Sequence, residues 1–228
     1  MKRGWPWILL GIAAWPTLAW YAKRMADGVG DDRCGLVALA LAIGFAWAER
    51  APDSPKVARS MPAAVAVVAY ALISRAFPPL FGAAALVVTL VLLARAQGLD
   101  VARRPAWIAL CALSLPILAS AQFYVGYPLR LCATTIAAGV MTIAGVDVVA
   151  EGTMLIVRGT RVLIDEPCSG VKTLWTSALL ASALALRARL DGKAAWWFAG
   201  LAALCAGMAT IARTVVLALL ESGAEPAP

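Results

Sequence analysis

Asp165-Glu166-Pro167-Cys168-Ser169-Gly170-Val171-Lys172-Thr173-Leu174-Trp175 is the stretch on which the fold turns. Before it, Val146/Val148, Met154/Ile156 and Val162/Ile164 alternate with polar or small residues, with Gly152 and Arg158-Gly159-Thr160 at the turns. That alternation predicts two or three short β-strands. After it, an apolar run over residues 169–187 predicts a long helix. Cys168 therefore falls at the mouth of a helix, where peptide N–H groups favour the thiolate, the nucleophilic form of cysteine. An open sheet edge cannot face lipid, so the strand unit is expected outside the hydrocarbon.

The rest of the chain reads as apolar scaffold. It is 62% hydrophobic and 14% charged, with a mean hydropathy of +0.82, which excludes an ordinary soluble domain. The net charge of +7 is spread over short inter-span loops, a positive-inside pattern and not a concentrated basic face for nucleic acid. The chain holds no histidine, which removes the commonest general base and the commonest metal ligand. Its five cysteines (Cys34, Cys111, Cys132, Cys168 and Cys205) form no CxxC pair, so neither a metal site nor a disulfide framework is expected, and no cofactor is implied. Cys111, Cys132 and Cys205 read as small packing residues, and Cys34 as a span edge.

Met1-Lys2-Arg3 followed by apolar residues 5–22 reads as an uncleaved first helix, because Ala19-Trp20-Tyr21-Ala22 is too bulky for a cleavage site. Further apolar runs cover 34–48, 61–77, 79–96 and 105–121, divided by charged or proline-bearing turns. Residues 128–145, with Arg130 and several threonines inside them, could span, lie in the interface or re-enter, and the orientation favours an interfacial or re-entrant segment. The last two runs, 169–187 and 194–220, are joined by the basic turn Arg187-Ala188-Arg189-Leu190-Asp191-Gly192-Lys193. Lysines and arginines favour a cytoplasmic N-terminus. The expected fold is an all-α polytopic membrane protein of seven to eight transmembrane helices, with a small extracytoplasmic β-hairpin before the catalytic helix. Residues 1–104 carry about four of the spans. Residues 105–228 form the core, with its β unit at 146–166 and a helical hairpin at 168–220.

Arg213, inside Ala209-Thr210-Ile211-Ala212-Arg213-Thr214-Val215, is the second residue of interest. A cation in a membrane helix costs several kcal/mol, so it marks a functional site unless it snorkels to the headgroups. Cys168 lies 23 residues before Asp191 and Arg213 lies 22 after it, so equal hairpin arms bring both to one depth. A guanidinium there would stabilise the thiolate and later an oxyanion. Glu166, Ser169, Gly170 and Lys172 are supporting candidates. Glu166 would act as base or dipole complement, and Ser169 as nucleophile or helix cap. Gly170 would allow a close backbone approach, and Lys172 would hold a carboxylate or mark the membrane surface.

Glu166-Pro167-Cys168-Ser169-Gly170-Val171-Lys172 resembles the acidic-x-Cys-Ser-Gly-apolar-basic signature of the exosortase/archaeosortase family of multi-span cysteine transpeptidases. The β-like lead-in, the Arg213 helix and Gln122 are similar too, and the resemblance covers residues 105–220. It implies a bacterial inner-membrane enzyme with its active site at the extracytoplasmic face. Its partners would be the lipid bilayer and exported proteins whose C-terminal sorting signal includes a transmembrane helix; nucleic acid is not among them. It also implies Cys168 as nucleophile, through a thioester, and Arg213 as its partner. Two departures stand out. Thr210 replaces the family's asparagine three residues before the arginine, and the family's catalytic histidine has no counterpart. Either the chain is cut short, or another group serves, or activity is lost. Two rival readings remain: a non-catalytic relative that binds sorting signals or scaffolds polysaccharide export, and a solute transporter using Arg213 as an anion site.

Overall fold

The computed structural model describes residues 5–27, 33–49, 60–164 and 170–223. They form eight helices and three strands: α1 (Trp5–Asp27), α2 (Gly35–Ala48), α3 (Ser60–Ala76), α4 (Pro79–Ala96), α5 (Pro105–Leu113), α6 (Leu118–Ile143), β1 (Val148–Glu151), β2 (Met154–Val157), β3 (Thr160–Leu163), α7 (Val171–Arg187) and α8 (Gly192–Ser222). The chain divides into two compact units, Met1–Ile117 with Ala181–Trp196, and Leu118–Leu180 with Trp197–Pro228.

Among the described residues, α4 and α8 are long and apolar enough to cross a membrane, and α5 with α6 makes a third span if taken as one broken crossing. Seven or eight crossings are more than this length test supports. One reason is that α2, α3 and α7 have only 14, 17 and 17 residues, where a span takes about 20.

In the first unit, Leu10, Ala14, Tyr70, Leu86 and Leu93 form a buried cluster. Several buried polar groups there are paired, as a medium without water favours. The Thr17 and Tyr70 hydroxyls lie 2.7 Å apart, and Trp107 Nε1 donates to the Ala42 carbonyl at 2.9 Å. The sequence run 105–121 is not one helix. It breaks at Ser114-Leu115-Pro116-Ile117, where the Ile117 N–H bonds the Leu115 carbonyl at 2.8 Å. That inverse γ-turn centres on Pro116, whose ring already fixes a suitable φ. The Ser114 carbonyl, released from the helix by the break, accepts the Tyr21 hydroxyl at 2.9 Å.

In the second unit, α6 runs on through Pro128 for 26 residues, so 128–145 is neither a separate helix nor a loop. It ends in a Schellman turn. Gly145 has φ +78°, the Val146 N–H bonds the Met141 carbonyl at 3.0 Å, and the Gly145 N–H bonds the Thr142 carbonyl at 3.0 Å. Three antiparallel strands follow in the order β1-β2-β3, with Val148 opposite Val157 and Leu155 opposite Val162. The turn between β2 and β3 holds Arg158 and Gly159 both at positive φ (+49° and +87°), the requirement of a type I′ hairpin.

The sheet packs one face on helix ends. Leu155, Val157, Val162 and Ile164 are buried against Ala137, Met141 and Ala218, with Val215 and Leu219 at the margin. In β2 the buried pair is Leu155 and Val157, whereas the sequence alternation marked Met154 and Ile156. All four positions are apolar, so the pattern alone fits either face, and strand pairing decides.

Candidate active site

Glu166, Cys168 and Ser169 lie outside the described residues. The site is therefore built from what holds the mouth of α7. Gly170 has φ +77°, a conformation that costs a side chain but not glycine. Its carbonyl accepts the Leu174 N–H at 2.8 Å, so it forms the entry to the helix.

Gly170 is also pressed against α8. A Cβ at this position would stand 2.9 Å from Thr210 Oγ1 and 3.0 Å from Thr210 Cγ2. Glycine is thus required twice over, by backbone conformation and by space. Thr210 is buried, and its hydroxyl donates to the Ala206 carbonyl at 2.9 Å. Thr214, fully buried, donates to the Thr210 carbonyl at 3.0 Å. Ala206, Thr210, Thr214 and Ala218 recur every four residues as a buried stripe of small side chains, the spacing that lets membrane helices approach closely.

This contact fixes the register of α7 against α8. Counting equal arms from Asp191 puts residue 170 opposite residue 212; the observed partner is Thr210, an offset of half a turn, about 3 Å along the axis. Arg213 lies one turn beyond Thr210, about 4.5 Å further along α8. Its side chain is exposed, and among the described residues no hydrogen bond or ion pair engages it. Lys172 is exposed on the first turn of α7.

A cavity of about 160 Å³ opens beside this contact. Gly170 and Leu174 of α7, Gly207, Thr210 and Ile211 of α8, and Leu129, Cys132, Ala133 and Ile136 of α6 line it. Residues 129–136 of α6 thus meet 207–211 of α8, and further along Ala137 and Met141 share a core with Val215 and Leu219. In this unit α6 and α8 therefore run side by side in the same direction, with the start of α7 against them.

Two residues gain a place here that sequence reasoning did not give them. Cys132, read as a packing residue, is exposed and lines the cavity. Arg130, read as a mark of an interfacial segment, has a buried Nε with no hydrogen-bond partner. Nothing in the linear pattern separates a cysteine facing a cavity from one facing lipid, whereas a charge in the middle of an apolar run was visible. Among the described residues no three His, Cys, Asp or Glu side chains gather as a metal site.

A helical integral membrane protein, with a small antiparallel sheet packed on α6 and α8 and a glycine at the entry of α7, is the class that these features define. A family model described as transmembrane exosortase (Exosortase_EpsH) matches residues 20–227. The chain belongs to that family. No curated protein and no solved structure matches it.

Proposed function

We propose that this chain is a membrane cysteine peptidase or transpeptidase that removes C-terminal sorting signals from exported proteins through a thioester on Cys168. The contact of Gly170 with Thr210 carries this reading. Cys168 is two residues before Gly170 in the sequence and Arg213 three residues after Thr210, a spacing that supports pairing the two in an antiparallel hairpin.

In the proposed reaction the Cys168 thiolate attacks the scissile carbonyl carbon, a C–S bond forms and the C–N bond breaks. The Arg213 guanidinium stabilises first the thiolate and then the oxyanion. The proton released by the thiol ends on the leaving amine. An amine acceptor or water then attacks the thioester and releases Cys168. General acid–base help is worth roughly 10²–10⁴-fold, so with no histidine in the sequence the enzyme is expected to be slow. The same absence favours the second reading, a relative that binds sorting signals without cutting them.

The proposed topology takes α5 and α6 as one broken crossing, giving seven crossings from a cytoplasmic N-terminus. The loops with Arg50 and Arg59, Arg95 to Arg104, and Arg187 to Lys193 then lie inside, and the β unit lies outside, at the extracytoplasmic face of the inner membrane. Residues 105–228 make the catalytic core in this reading.

The test is to incubate the protein in membranes with a sorting-signal reporter and quench with hydroxylamine. Wild type should release the reporter's N-terminal part as a hydroxamate. Cys168→Ala should release none, and Arg213→Lys at least about tenfold less, since a planar fork is not replaced by a point charge. Cleavage undiminished in Cys168→Ala would sink the mechanism, and sorting that survives Cys168→Ala without cleavage would establish the binding role instead.

A further inference from the structure

β3 is an edge strand: the order β1-β2-β3 puts β2 on one side of it and no strand on the other. The register decides which of its backbone groups are left over. The Ile164 N–H bonds the Thr153 carbonyl at 3.0 Å, so these two residues form a hydrogen-bonded pair. Such pairs recur at every second residue of an antiparallel ladder, which adds Val162 with Leu155 and Thr160 with Val157. Arg161 and Leu163 fall between them, so their N–H and C=O groups point away from β2. Among the described residues, none of the hydrogen bonds outside the ladder takes up these groups.

An open edge is incompatible with lipid and, in water, is a template for another extended chain. Proteins commonly blunt such edges with proline, a bulge or a covering element. β3 pairs regularly through its four residues and contains no proline, and Arg161 and Leu163 are both exposed. The β1 edge differs. It runs directly off the turn that closes α6 and has the exposed carboxylates Asp147 and Glu151 at its two ends.

The β3 edge also stands within reach of the α7 mouth. Val162 and Ile164 are buried in a cluster with Ala218, and Val215 lies at its margin. These α8 residues come five to eight positions after Thr210, the partner of Gly170, which is about 8–12 Å further along the helix. An extended peptide covers that distance in about three residues. We propose that the outer edge of β3 takes up the peptide substrate as a fourth strand, pairing with the extended residues about three to six positions before the scissile bond. This rests on the peptidase reading above. Main-chain hydrogen bonds to Arg161 and Leu163 hold the peptide with little demand on its side chains, and they present it straightened at the helix mouth.

The substrate's own backbone amides test this. The probe is a fluorescent peptide with an extended segment, a transmembrane helix and a basic tail, made with one N-methylated amide at each position before the helix in turn. Affinities would be measured for full-length Cys168→Ala protein in nanodiscs. Methylation should weaken binding about tenfold at every second residue of a short stretch and little at the residues between, because only alternate amides face the edge. Leu163→Pro deletes an outward N–H and spares the ladder, so it should keep an unfolding midpoint near wild type and bind the unmethylated peptide about tenfold more weakly. Val162→Pro, which deletes a ladder N–H, should instead lower the midpoint.

No binding of the unmethylated peptide, or methylation that acts alike at consecutive positions or at none, would overturn the proposal. So would an alternating pattern with wild-type affinity in Leu163→Pro, which would put the added strand on another edge. The methylation scan on protein with β3 intact remains decisive even if Leu163→Pro fails to fold. Failure of the peptidase reading would appear separately, as wild type that binds the peptide with the alternating pattern and never cleaves it.

Discussion

Replacing Gly170 by alanine attacks the joint on which the α7 mouth depends. Two costs add. Alanine must adopt φ +77°, which costs about 1 kcal/mol relative to glycine. Its methyl must also enter space 2.9 Å from Thr210 Oγ1 and 3.0 Å from Cγ2, and such overpacking costs roughly 1–3 kcal/mol. The total expected loss is therefore about 2–4 kcal/mol. Thr210 is a short side chain tied to the Ala206 carbonyl, so it cannot swing aside cheaply. Thr210→Ala removes both atoms in conflict and should itself cost only about 1 kcal/mol, for the lost hydrogen bond and packing. The double variant should then recover the steric part and keep the backbone part, a coupling of about 1–3 kcal/mol. Reversible unfolding in mixed detergent micelles, followed by tryptophan fluorescence with Trp175 buried one turn away, measures all four proteins. Additive losses, or a Gly170→Ala protein as stable as wild type, would refute the close packing of α7 on α8 and the register built on it.

Leu155→Ala should cost about 2–4 kcal/mol, because its side chain is fully buried in the sheet face that seats on α6 and α8, while Met154→Ala should cost clearly less. Equal losses in the same unfolding assay would mean that β2 presents the other face. With Cys168 as the sole cysteine, a membrane-impermeant maleimide should label intact cells from outside; labelling only after the cytoplasmic side is opened would reverse the proposed topology and remove the reaction from the exported side.

Much of the fold was legible because its signals are local. Hydropathy located the apolar helices, and Gly152 and Arg158-Gly159 marked the hairpin turns where positive φ is needed. Proline was ambiguous, since it either ends a helix or sits within one. Pro116 breaks the run and Pro128 does not. At the Pro116 break the freed Ser114 carbonyl is met by Tyr21, a partner 93 residues away that local sequence does not reveal. For this reason the segment expected to be interfacial is the second half of a long helix.

The sequence by itself determined the family signature around Cys168, the position of Arg213, and their near-equal spacing from Asp191, because motif and spacing are properties of the chain. Only the tertiary structure decided that Gly170 lies against Thr210, that Leu155 and Val157 face the core, and that Cys132 lines the cavity beside Gly170. Those facts depend on which helix face meets which neighbour. A one-residue change of strand face, or a turn of about 100° about a helix axis, leaves the composition of a run unchanged and reverses what its side chains touch.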